Sequence, residues 1–184
     1  MVPLCEALVE RGIAVWNVEY RRLGDDGGGW PGTFLDLGAA VDHVAVLAPS
    51  HGLDLGRVGV VGHSAGGHLA LWAAARRRIP PRSAIAAASP LAVRTAVALA
   101  GLPDLVRASE LGFEVVDRLL GGSPTDVPER YAAASPAALL PLGVRQTLVH
   151  GTDDRVVPIA FSEAYRTAAV LRGDDVRLVR LDGV

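Results

Sequence analysis

The run Gly62-His63-Ser64-Ala65-Gly66-Gly67 puts a serine where a strand-like segment meets a helix-like one. Val58-Gly59-Val60-Val61 before it is short, β-branched and apolar, the composition of a strand buried on both faces. Ala65 to Ala75 after it is rich in Ala and Leu and is expected to form a helix packed on the same sheet. Turning from strand to helix within a residue or two forces the central residue into a strained backbone conformation. Small residues at Gly62, Ala65 and Gly66 are therefore expected to be needed sterically. Such a bend leaves the Ser64 hydroxyl at its tip, facing the first free amides of the helix. The chemistry that suits it is attack on an acyl carbon, with the Ala65 amide stabilising the oxyanion.

A serine hydroxyl is a weak nucleophile at neutral pH. It needs a base to take its proton and a carboxylate to orient that base. The carboxylate is expected in Gly151-Thr152-Asp153-Asp154-Arg155-Val156-Val157-Pro158, directly after a strand ending at His150 and so on the same sheet rim as Ser64. Asp154 is preferred to Asp153 because its spacing to Val157-Pro158 fits Gly-x-x-Asp-x-x-Val-Pro; the alternative for either is a turn residue bonding its own backbone. Asp104 also follows a strand but is expected to cap the next helix.

None of the five histidines follows Asp154. His63 adjoins Ser64, His68 and His150 read as packed core residues, and His43 and His51 belong to a surface helix and the loop after it. The base is expected in a loop after the strand Val176 to Leu181, where the sequence stops at Asp182-Gly183-Val184. A second oxyanion amide is expected from a glycine-rich loop ahead of the first helix, where the sequence opens at Met1-Val2-Pro3-Leu4. Both ends therefore read as truncated, with early strands and the histidine loop lacking.

The elements that must carry these groups alternate along the chain, which predicts an α/β fold with a mostly parallel sheet. Helices are expected at Pro3 to Arg11, at Phe34 to Ala48 behind a cap at Thr33, and at Ile159 to Leu171. Strands are expected at Ile13 to Tyr20, Thr95 to Leu99, Gln146 to His150 and Val176 to Leu181. Arg21 to Gly32 reads as a loop, and residues 105–143 as a helical insertion near the active-site edge of a single domain spanning 1–184. Trp30, set in Gly28-Gly29-Trp30-Pro31-Gly32, is a candidate substrate-binding wall or else a loop anchor packed on the helix behind it. Arg76-Arg77-Arg78 reads as a solvated helix end.

Half of the 184 residues are hydrophobic, and the 18 basic and 20 acidic residues nearly balance, so nothing favours nucleic acid or an anionic membrane as a partner. The single cysteine, Cys5, rules out an internal disulfide. The uncharged stretch from Ser83 to Val93 falls short of the roughly 20 residues that cross a bilayer. With no secretion signal visible, the expected compartment is the cytoplasm.

Taken together, Asn17 to Arg22, Gly28 to Thr33, Gly62 to Leu69, Arg130-Tyr131 with Ser135-Pro136, and His150 to Asp154 with Val157-Pro158 resemble the α/β-hydrolase superfamily. The resemblance is to its small bacterial esterase and kynurenine-formamidase-like branch, also labelled feruloyl-esterase-like or prolyl-oligopeptidase-type. It implies a three-layer α/β-hydrolase fold and a serine hydrolase acting on ester or amide bonds of small molecules. Within that likeness Ser64 is the nucleophile, Asp154 the acid and the Ala65 amide part of the oxyanion hole, with no cofactor and no metal. The resemblance also implies an upstream His-Gly-Gly-type loop and a downstream Gly-His, which this sequence does not carry. Turnover by these residues alone is therefore expected to be severely reduced. The alternative expectation is a non-catalytic α/β scaffold that binds without hydrolysing.

Overall fold

A computed structural model describes residues 2–184. Four parallel strands lie in sequence order, β1 (Gly59–His63), β2 (Thr95–Leu99), β3 (Arg145–Gly151) and β4 (Val176–Leu181). Their register is direct: His63 is level with Leu99, and Leu99 with Val149. Seven helices accompany them: α1 (Val2–Val9), α2 (Gly32–His51), α3 (Ala65–Ala75), α4 (Leu105–Glu110), α5 (Glu114–Leu120), α6 (Pro128–Ala134) and α7 (Ala160–Leu171).

The core runs from the apolar stripe of α2 (Phe34, Leu37, Val41, Ala48) through α3 to Ala96, Ala98 and Leu148 on the sheet and Phe161, Tyr165 and Ala169 on α7. Burial of α3 is nearly complete, from Gly67 to Ala75. An all-apolar helix can be buried in this way only if its few polar groups are satisfied. They are: the Trp72 indole donates to the Ala133 carbonyl at 3.0 Å, and His68 Nε2 lies 2.9 Å from the Ala134 carbonyl. Both carbonyls belong to the last turn of α6, where helix carbonyls lack partners of their own. Between β2 and β3 the chain forms α4, α5, α6 and a 3₁₀ turn at Pro136–Leu139, without a strand. Asp104 caps α4 by accepting from the Arg107 amide.

Five expectations are corrected. Residues 13–20 form no strand: among the described residues no strand pairs with this segment, and Ile13 and Trp16 are half exposed. Among the described residues β1 pairs only with β2, so it is an edge strand not buried on both faces, with Val61 38% exposed. Thr33 lies inside the first turn of α2 and is not its cap. Its hydroxyl accepts from the Gly29 amide and donates to the Arg21 carbonyl, knitting the glycine-rich loop to the helix. Arg76 is not solvated. It is 5% exposed and forms a two-pronged pair with Asp42 of α2, at 2.8 and 2.6 Å. Gly66, finally, is not required sterically, since a Cβ there meets nothing within 4 Å; the close approaches belong to Gly62 and Gly67.

Candidate active site

The carboxyl ends of β1, β2 and β3 form one rim. At the end of β1 the backbone of Ser64 takes φ 53°, ψ −119°, a left-handed conformation costing a non-glycine residue on the order of 1–3 kcal/mol. Three backbone bonds hold it there. The Ser64 amide donates to the Leu99 carbonyl at 2.8 Å, and the Ser64 carbonyl accepts from the amides of Gly67 and His68. The Ser64 hydroxyl makes no capping bond to α3 and is left available. Ala65 is the first residue of α3, so its amide has no acceptor within the helix.

The bend is possible because Gly62 and Gly67 lack side chains. A Cβ on Gly62 would collide with the Gly66 carbonyl oxygen, and one on Gly67 would sit 3.0 Å from Cα of Gly101 and 3.2 Å from the Leu99 carbonyl. Sheet and helix meet here through bare backbone. A second bend follows at Ala100, φ 47°, just past β2, where the amide of Ala100 donates to the Val149 carbonyl. Nothing in the sequence marked Ala100; the residue after it, Gly101, lies against the backbone of Gly67.

Asp154 lies just beyond β3, on the same rim as Ser64. Two strand spacings, about 10 Å, separate the strands that carry them. One Asp154 oxygen, Oδ1, accepts from the amides of Val156 and Val157, both at 2.9 Å, and the side chain is 20% exposed. The Val157 amide above all, then the Val156 amide and the nearby His150 side chain, hold its carboxyl below the usual carboxylate range against a partial burial that would raise it. Asp153 makes no such turn; its carboxylate accepts from the neighbouring Thr152 hydroxyl at 3.2 Å, and its amide donates to the Val184 carbonyl at 2.9 Å.

The histidines are placed as follows. His68 is buried and held near pKa 4 by that burial, against the raising effect of its bond to Ala134. His150 is buried, with Nδ1 at 2.8 Å from Ser162 Oγ and Nε2 at 2.7 Å from the Val157 carbonyl. His43 stacks at a tilt on Trp16, with ring centroids 6.0 Å apart, and His51 ends α2. His63 is exposed on β1. Among the described residues no group of three or more His, Cys, Asp and Glu side chains is placed to hold a metal ion, and no helix is long and apolar enough to cross a membrane.

Trp30 is anchored from three sides. Its amide donates to the Leu119 carbonyl at 2.8 Å, its ring meets Phe34 edge-on at 5.8 Å, and the Arg130 guanidinium lies over it at 5.8 Å. Arg130 in turn donates to the Leu120 carbonyl at 2.7 Å. The end of α5 thus binds both the Trp30 loop and α6. Beside it Tyr131 donates to Asp117 at 2.6 Å, and burial together with Asp117 pushes the phenol up to about 12. Asp117 escaped sequence reasoning because it looks like an ordinary exposed position in a short helix.

A parallel sheet whose first strand turns through a left-handed serine into a buried helix is the architecture of the α/β-hydrolase fold. The chain belongs to the BD-FAE family, whose model matches residues 1–168. It is 28% identical over 171 residues to esterase LipQ of Mycobacterium tuberculosis, a match covering 90% of this chain and 40% of that protein. Its fold is similar to a carboxylesterase of Lactobacillus plantarum (TM-score 0.81, 19% identity, 100% of this chain and 64% of that one). It is similar too to Thermogutta terrifontis esterase 2 phosphoramylated by tabun (TM-score 0.79, 23% identity, 99% and 64%). The chain thus spans less than two thirds of the length of each of these relatives.

Proposed function

We propose that this protein is a serine hydrolase of carboxylic ester or amide bonds on small molecules, working through an acyl-enzyme on Ser64. The observation that carries the reading is the left-handed backbone of Ser64, held between the Leu99 carbonyl and the first turn of α3, with its hydroxyl unengaged by the helix. The esterase names of LipQ and of the structural neighbours support the ester side of the reading.

In this reading Ser64 Oγ forms a bond to the substrate's carbonyl carbon as its proton passes to an imidazole. The carbonyl oxygen, now negative, is met by the Ala65 amide. The carbon–oxygen bond to the alcohol then breaks, and the alcohol leaves with that proton. Water attacks the acyl group in the reverse sense, releasing the acid and restoring Ser64. Asp154 orients the imidazole and balances its charge once protonated. Trp30 lines the acyl or leaving-group pocket, and the helices of residues 105–143 form its wall through the Leu119 tie to Trp30.

The imidazole is the part that none of the five histidines fills: His68 is buried with Nε2 on the Ala134 carbonyl, His150 is buried with both ring nitrogens engaged, and among the described residues no histidine side chain is hydrogen-bonded to Ser64. We therefore expect the 184-residue chain to turn over slowly, by about 10⁶-fold if its loss resembles removal of a triad histidine. Hydrolysis of a short-chain chromogenic ester tests this. The reading predicts a slow rate that added imidazole raises in the wild-type chain but not in Ser64→Ala. A rise with imidazole that is equal in Ser64→Ala contradicts it, and no rise with imidazole in either chain favours a binding scaffold instead.

A further inference from the structure

His150 is fully buried and takes no part in the hydrolytic steps above. Its place follows from the period of two along β3, where Gln146, Leu148 and His150 are the buried positions. Gln146 and His150 face α7, where they meet Tyr165 and Ser162. The ring's hydrogen bonds define its tautomer. Nε2 stands 2.7 Å from the Val157 carbonyl oxygen, and because a carbonyl only accepts, that nitrogen carries a proton. In the neutral ring Nδ1 then accepts from the Ser162 hydroxyl, 2.8 Å away.

The same Nε2 lies 3.4 Å from Asp154 Oδ2, a longer contact than its bond to Val157. The other carboxylate oxygen is already bonded to the amides of Val156 and Val157. One ring nitrogen thus touches both ends of the turn from Asp154 to Val157: the carboxylate that opens it and the carbonyl that closes it. A side chain that only filled space between β3 and α7 would need neither contact.

We infer that His150 is a positioning residue, whose Nε2–H, aimed by Ser162, fixes the turn and the rotamer of the Asp154 carboxylate. Its meaning for catalysis rests on the hydrolase reading, but the coupling between the two side chains does not. With Oδ1 held by two amides and Oδ2 turned to the ring, the carboxylate has one orientation on the rim.

The test is a carbon-13 carboxylate titration of Asp154 in the wild-type chain, in His150→Gln and in His150→Leu. Glutamine offers an N–H close to the position of Nε2, whereas leucine keeps apolar bulk without a donor. Asp154 is expected to titrate alike in wild type and His150→Gln, and higher by about half a pH unit or more in His150→Leu, where the anion has lost a donor. Identical titrations in all three overturn the inference, and so does an equal shift in both variants, which would mark a general loss of packing. Should His150→Leu fail to fold, nitrogen-15 spectra of the wild-type ring decide the matter: the Nε2–H tautomer supports the inference and the Nδ1–H tautomer overturns it. If Ser64 proves inert while Asp154 follows His150 as stated, the coupling stands and only the hydrolase reading falls.

Discussion

A methyl group on Gly62 would collide with the carbonyl oxygen of Gly66, so β1 reaches Ser64 with α3 lying directly against its backbone. The two glycines of this contact are not equivalent, since Gly62 offers its missing side chain and Gly66 only its carbonyl.

Substitution should separate them. Gly62→Ala must push α3 away from β1 and is expected to cost about 2–3 kcal/mol or more, the range of overpacked cores. Gly66→Ala meets open space inside a helix and should be neutral or stabilising by up to about 1 kcal/mol. Urea unfolding of both variants checks this, and equal losses would contradict it.

Asp42 and Arg76 make the second prediction. The Arg76 side chain is 4% exposed, and among the described residues its Nε has no partner, so its charge depends on Asp42. Burial pushes the Asp42 carboxyl up, but the Arg76 hydrogen bond, the Leu91 amide and the Arg76 charge outweigh it and hold the group below its usual range. Asp42→Ala should destabilise by about 3 kcal/mol, the lower end for breaking a buried pair because Asp42 itself reaches water. The double variant Asp42→Leu with Arg76→Met should recover most of that loss. A double variant as unstable as the single one would contradict the account.

His68 gives the fold a pH dependence. Its folded pKa of about 4 lies below the ordinary 6.5, so on acidification the unfolded chain takes up this proton first. The stabilisation is complete above pH 6.5 and is lost as pH falls towards 4. The slope approaches one proton, about 1.4 kcal/mol per pH unit. His68→Gln can keep a bond to the Ala134 carbonyl and should flatten that part of the profile. Unfolding midpoints across this range measure it, and an unchanged slope in the variant would refute the assignment.

The contrast between what could and could not be read from the sequence has physical causes. Thr95–Leu99, Val176–Leu181 and Ala65–Ala75 are bounded where their composition changes, because local pattern decides burial there. Ile13 to Tyr20 carries an equally good strand pattern, but a strand exists only with a ladder, and among the described residues no strand pairs with this segment. The placement of Ser64 and Asp154 beside the carboxyl ends of strands was legible because both strands end where their apolar pattern stops. Arg76 was misread because its partner lies far away in sequence on α2, so no local signal separates it from Arg77 and Arg78. Gly66 was expected to be needed sterically and is not, for a related reason: only the placement of α3 against Leu99 and Gly101 reveals that Gly67 is the crowded position.

The central claim is that Ser64 Oγ is the nucleophile, and covalent capture tests it most directly. Prolonged exposure of the 184-residue chain to a fluorophosphonate, followed by mass spectrometry of its peptides, should show one adduct, on Ser64. The adduct should form faster with added imidazole and be absent from Ser64→Ala. Modification at another hydroxyl, or equal labelling of the Ser64→Ala chain, would contradict the account.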